Sequence, residues 1–187
     1  MPDIFCAQEA PDYVQLECGA ELGGVIAVGF IDPDQEVDEN NLAASLELAS
    51  WWTNGQEVSP QTHWVVTSTR GSLPAGSPTE EEGFGLIPTE RTGDDRELSF
   101  EALAVMDNRD FWATINKRRN HKMVYVTAGQ DENGNYNAFY VSGVSVYASE
   151  VIDQSIKSRI RYAVSAKWST AMTPSLPFSA PASIFAV

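Results

Sequence analysis

Residues 155–170 read SIKSRIRYAVSAKWST, and no other stretch of the chain alternates so cleanly. Ile156, Ser158, Ile160, Tyr162, Val164, Ala166 and Trp168 share one face, while Lys157, Arg159, Arg161, Ala163, Ser165 and Lys167 share the other. A period of two is the mark of a half-buried β-strand. Ile156 to Trp168 at roughly 3.3 Å per residue would span about 43 Å. Most strands run about five or six residues. A strand this long either extends past its own domain or lines a closed sheet.

Upstream, the pattern stays mostly β. The run Val25–Ile31 (VIAVGFI) is apolar and bounded by glycines and by Asp32-Pro33-Asp34, as a buried strand would be. His63–Thr69 is rich in β-branched and aromatic residues, Leu98–Val105 alternates, and His121–Ala128 and Tyr136–Ala148 flank the turn sequence DENGN. Asn-Gly between two such runs signals a hairpin. Two segments read as helix. Residues 42–52 (LAASLELASWW) place Leu42, Leu46 and Ala49 on one face before Thr53-Asn54-Gly55 breaks the chain. From Asp107 onward, Asp107 is positioned to cap a helix and Asp110 to complete a capping box. Phe111, Trp112 and Ile115 supply its buried stripe, and Lys117, Arg118 and Arg119 close the last turn, where the helix dipole favours cations. The expected fold is therefore mainly β within the α+β class. It is a single-domain β-sandwich or small barrel with one short flanking helix.

Three segments lie outside that pattern. Residues 1–24 form an irregular N-terminal arm, and residues 70–97, rich in Gly, Pro, Ser and Glu, read as a long loop. Phe84, Leu86 and Ile87 in that loop are more apolar than a solvated linker needs, which points to packing against another subunit. Residues 171–187 are Pro-rich and end apolar, a C-terminal arm whose Phe178 is a candidate contact with a neighbouring copy.

Among 187 residues, 12 are basic and 26 acidic, for a net charge of −14. Such a surface does not wrap nucleic acid, because phosphate binding needs clustered Lys and Arg. It leaves DNA free to slide past. The charge is also divided along the chain, with 3 basic and 21 acidic residues up to Asp107 and 9 basic and 5 acidic after it. Either one surface attracts the other on a neighbouring copy, or the division is the ordinary unevenness of a soluble protein.

Chemistry is hard to find. No stretch reaches the ~20 apolar residues of a membrane helix, and the N-terminus lacks the basic start and apolar run of a signal peptide. No nucleophile elbow, phosphate loop, zincin or dinucleotide motif is present. Cys6 and Cys18 have no basic neighbours to activate them, and read as reduced bystanders rather than a disulfide. Asp32, Asp34, Glu36, Asp38 and Glu39 faintly resemble a calcium loop, but the glycine of the bend and the twelfth-position Glu are missing. Glu80-Glu81-Glu82 and Asp94-Asp95 are paired carboxylates of the kind a glycosidase uses, set in a segment where burial is hard to arrange. His63 and His121 each begin a strand and read as packing or surface residues. Trp51, Trp52, Trp64, Trp112 and Trp168 are either a sugar-stacking platform or core filler, and core filler is the usual role of aromatics in small β-domains. No catalytic residue, cofactor or metal is expected.

The order strand, long loop, strand, short helix, hairpin and basic-edged strand resembles the tail tube proteins of long-tailed bacteriophages. The likeness covers roughly residues 60–170. It rests on that order, on Arg91–Glu101 (RTGDDRELSFE) and on Asn108–Trp112 (NRDFW). It implies a virion structural protein, assembled in the host cytoplasm, whose copies form a ring of six. Rings stack into a tail tube, and DNA passes through without specific binding. The other partners implied are tail or neck proteins. Residues before position 60 depart from the family outline and leave a neck or terminator ring open. The inter-subunit candidates are Phe84, Leu86, Ile87, Lys157, Arg159, Arg161, Lys167 and Phe178. Within this reading a sheet completed by neighbouring copies is expected, and the basic face of Lys157, Arg159, Arg161 and Lys167 is either neutralised by acidic residues on adjacent strands or subunits or placed at an inter-subunit seam. A carbohydrate- or host-receptor-binding sandwich, using Trp51, Trp52 and the 70–97 loop, is the alternative.

Overall fold

The computed structural model describes residues 24–67, 69–81, 90–103, 105–154, 159–170 and 174–182. Among them are nine strands: β1 (Val25–Ile31), β2 (His63–Val66), β3 (Arg70–Ser72), β4 (Ser77–Glu81), β5 (Glu90–Ala102), β6 (His121–Gln130), β7 (Tyr136–Val151), β8 (Arg161–Ser169) and β9 (Leu176–Ala180). A 3-10 turn at Leu42–Ala44 and helix α1 (Ala49–Glu57) lie between β1 and β2, and helix α2 (Arg109–Lys117) lies between β5 and β6. The mainly β, α+β expectation holds, with two α-helices rather than one.

The strands close on themselves. β1 pairs with β6, β6 with β7, β7 with β8, β8 with β5, β5 with β3, and β3 with β1, all antiparallel. A six-stranded barrel results, completed within one chain. The expected dependence on a neighbouring copy for ring closure is thus corrected, because β3 supplies the missing link between β1 and β5. β2 extends the sheet beside β1, β4 beside β5, and β9 beside β7.

Burial explains which strands look apolar throughout and which alternate. Inside the barrel, Val28, Phe30, Leu98, Phe100, Met123, Tyr125, Val144, Val164 and Trp168 meet Trp112 and Ile115 of α2. The helix's Phe111 and Trp112 rings pack edge-on to Phe30 at 6.1 and 6.0 Å. A second core covers the outer face of β1, β6 and the first half of β7, where Leu42, Leu46, Trp52 and Phe178 pack on Ala27, Ile31, Val124, Val126 and Tyr140. β1 and β6 are therefore buried on both faces and cannot alternate. β7 departs from β6 at a bulge, where His121 faces Val144 but Met123 faces Val141. Gly143, at φ 68°, takes the left-handed position that this extra residue demands.

Several boundaries differ from expectation. The 42–52 helix is split, and α1 runs straight through Asn54-Gly55 to Glu57. Gly55 is a close-approach glycine rather than a breaker, since a Cβ there would stand 1.7 Å from His63 Nδ1. Helix α2 is capped at Asn108, whose side chain makes no capping bond, so Asp107 does not fill the role proposed for it. The supposed 70–97 loop contains β3, β4 and the first part of β5. The C-terminal arm is corrected likewise: residues 176–180 pair with β7, and Phe178 is buried at 8 % exposure in its own chain's core rather than offered to a neighbour. β8 begins at Arg161, shorter than the expected thirteen residues, and its alternation holds from Arg161 to Trp168.

Candidate functional site: an uncovered sheet face and a projecting ribbon

The outer face of β5, β8 and the second half of β7 has no covering layer among the described residues. It carries Glu97, Ser99 and Glu101 from β5, Arg161, Ala163, Ser165 and Lys167 from β8, and Ser145, Tyr147 and Ser149 from β7. Two shallow depressions of about 690 and 560 Å³ lie on it, one beside Glu97 and Lys167 and the other beside Glu101 and Tyr147.

Lys167 and Arg161 on it are paired within the chain. Lys167 Nζ lies 3.3 Å from Glu97 Oε2, and Ser165 Oγ donates to Glu97 Oε1 at 2.6 Å. Those two hydrogen bonds, with Ser165 first and Lys167 second, hold the Glu97 carboxyl below its ordinary pKa. Arg161 reaches Glu101 Oε1 at 2.8 Å and Asp153 Oδ2 at 2.7 Å, and its guanidinium pKa is raised chiefly by the Asp153 bond. The expected neutralisation of Arg161 and Lys167 by an adjacent strand is met by β5. Arg159 is exposed, just before β8. Phe84, Leu86, Ile87 and Lys157, with Cys6 and Cys18, lie outside the described residues.

At one end of the barrel β5 runs on beyond its partner. β8 pairing ends at Asp95↔Ser169, and Thr170 adds bonds to Asp94: its N donates to the Asp94 carbonyl at 2.8 Å, and its Oγ1 accepts from the Asp94 N–H at 2.7 Å and lies 3.2 Å from that carbonyl. Farther out, Glu90–Gly93 pair with β4 alone among the described residues, in register Thr79↔Gly93, Glu80↔Arg91 and Glu81↔Glu90. The outcome is a two-stranded ribbon rich in carboxylates, carrying Glu80, Glu81, Glu90, Asp94 and Asp95. A pair of strands without a third is marginal in water, and its open edges are templates for pairing.

The other sequence candidates fall elsewhere. His63 is 2 % exposed under α1, with the Trp51 ring centroid 3.8 Å away, Trp52 at 5.5 Å and Thr62 Oγ1 at 2.7 Å from Nδ1. Burial pushes its pKa down to about 4. His121 is equally buried, its Nε2 3.0 Å from the Ile115 carbonyl, and burial lowers it too. Both are core histidines. Trp52, Trp112 and Trp168 are buried and Trp51 and Trp64 half-buried, so the adjacent Trp51-Trp52 pair forms no exposed sugar platform. Among the described residues no three His, Cys, Asp or Glu side chains converge as metal ligands, and no helix is long and apolar enough to cross a membrane.

Sequence reasoning missed Tyr147, which stands 67 % exposed on the uncovered face. The signal was present: Tyr147 sits out of phase with Val144, Val146 and Ala148. No family model, curated protein or solved structure matches the chain.

Proposed function

We propose that this chain is a structural subunit that assembles with copies of itself, resembling a phage tail tube protein that builds stacked rings around a passing genome. The carrying observation is the outer end of the β4–β5 ribbon, where Glu90–Gly93 pair with β4 alone and β4 pairs with β5 alone among the described residues. Because the barrel closes within one chain, assembly does not complete a broken sheet. Instead the ribbon adds to a free edge on the next copy, where β2, β9 and β4 each pair on one side only among the described residues. Strand addition gives main-chain affinity without any pocket.

The uncovered face fits a channel or seam. Its Lys167 and Arg161 are neutralised by Glu97, Glu101 and Asp153, which reduces the positive charge that DNA could adhere to. The net charge of −14 adds general repulsion of phosphate. Ring number, stacking through arms and placement in a tail or neck come from the family resemblance alone.

Sedimentation velocity tests the reading. The full chain should form species several times heavier than one subunit. The double variant Ser77→Lys, Glu80→Lys, which puts lysines on the outer strand, should remain a single folded subunit. Heavy species unaffected by these lysines would remove the ribbon from the proposal.

A further inference from the structure

Near the end of β5 where α2 enters, the barrel wall parts. β3 pairs with residues 99–101 of β5, but β2, just ahead of β3 in the chain, pairs with β1 alone among the described residues. Beyond that fork lies a crevice of about 240 Å³, lined by Val65 and Val66 of β2, Leu103 just after β5, and Phe111 and Trp112 of α2 among others. An apolar cavity of about 150 Å³ already holds a benzene ring, so this crevice has room for a large apolar side chain. Leu103 is 42 % exposed, and Met106, close to it in sequence, 79 %. An extended segment laid here meets a strand with a vacant edge as well as apolar side chains.

The ribbon leaves from the opposite end of β5. Between Glu81 and Glu90 the chain reads EGFGLIPT, so Phe84, Leu86 and Ile87 fall within an otherwise carboxylate-rich stretch. Those eight residues leave β4 and return to β5. At no more than ~3.6 Å per residue, out and back, they reach at most about 14 Å past the two strands. β5 itself has thirteen residues, which span about 40 Å at roughly 3.3 Å each. The segment therefore cannot enter the crevice of its own chain, whereas that of a second copy can.

We propose that the crevice receives residues 82–89 of a second copy, whose Phe84, Leu86 and Ile87 supply its apolar cover. This contact rests on the self-assembly reading and deepens it, because it selects β2 among the free edges as the ribbon's partner. Segment and crevice lie at opposite ends of one strand, so the contact is heterologous. Each copy offers a segment to one neighbour and a crevice to another, and the series closes as a ring or grows as a filament.

Mixing two variants tests the contact by sedimentation velocity of the full chain. The triple variant Phe84→Ser, Leu86→Ser, Ile87→Ser keeps the crevice and loses the segment, while Leu103→Glu keeps the segment and blocks the crevice. Each alone should run as a single subunit. Mixed in equal amounts, they should form pairs and nothing heavier, since each pair joins one intact segment to one intact crevice and both outer ends are dead. Pairing also shows that both variants are folded. Leu103→Ser, which adds no charge at this exposed position, should weaken assembly at least tenfold. Wild-type protein that stays a single subunit overturns self-assembly and this contact together. Heavy species in the triple variant or in Leu103→Glu alone, undiminished assembly in Leu103→Ser, or a mixture without pairs overturns this contact and leaves strand addition by the ribbon standing.

Discussion

Replacing His63 by Phe isolates a pH dependence that the fold builds in. In the folded chain the imidazole stays neutral down to about pH 4, because burial under Trp51 and Trp52 disfavours its charge. In the unfolded chain it protonates near the ordinary value of 6.5. A folded pKa below the unfolded one means that the unfolded state takes up the proton first. The histidine's full contribution is therefore present above pH 6.5 and is lost as pH falls from there toward 4. The slope is about 1.4 kcal/mol per pH unit and the total about 3 kcal/mol. Urea unfolding at pH 7, 6, 5 and 4.5, followed by tryptophan fluorescence, measures it. His121 titrates in the same direction in wild type and variant, so it cancels in the difference between them. His63→Phe loses the Thr62 contact and is less stable at pH 7, but its stability should fall less steeply between pH 6.5 and 4.5. Parallel curves for the two proteins would refute the desolvation account of this residue.

Other substitutions test the packing. Gly55→Ala places a Cβ 1.7 Å from His63 Nδ1, and the overlap should cost about 3 kcal/mol; Gly134→Ala, with nothing within 4 Å but φ 81°, should cost only about 1 kcal/mol. Both are read from urea midpoints. Trp112→Ala empties the centre where α2 enters the barrel, and a loss of about 3–5 kcal/mol is expected in the same assay. Lys122→Met removes the donor that ties Pro33 and Gln35 to β6. Hydrogen exchange should rise in residues 33–40 while the barrel strands keep their protection.

Residues whose burial follows a simple period were legible. The Asp131–Asn135 turn is one case, where Asp131 Oδ1 accepts from the N–H groups of Asn133 and Asn135 at 2.8 and 2.9 Å and Gly134 adopts φ 81°. Helix α2 and the Tyr162–Trp168 face are others. β4 and the outer part of β5 were not legible, because SPTEE and ERTGDD carry no apolar alternation and pair mainly through the backbone, with Thr92 Oγ1 adding one bond to the Thr79 carbonyl at 3.2 Å. β9 was hidden by Pro177 within it and by Pro174 and Pro181 on either side, and an edge strand tolerates proline. Gly55 looked like a helix stop because nothing local indicates that His63 occupies the space its Cβ would fill. The depression beside Glu36, Asp38 and Glu39 was invisible for a similar reason. Its carboxylates were noticed as a weak calcium pattern, but Lys122 and Tyr140 reach it from far along the chain. The ion pairs across β5 and β8 join residues 60 to 70 positions apart, so sequence could forecast neutralisation but not the partners.

Assembly is the claim on which the functional reading stands, and negative-stain electron microscopy of the purified full-length chain examines it directly. Closed rings, or tubes of stacked rings, are predicted, and they should vanish in the Ser77→Lys, Glu80→Lys variant. A field of separate single barrels at every protein concentration would contradict the account.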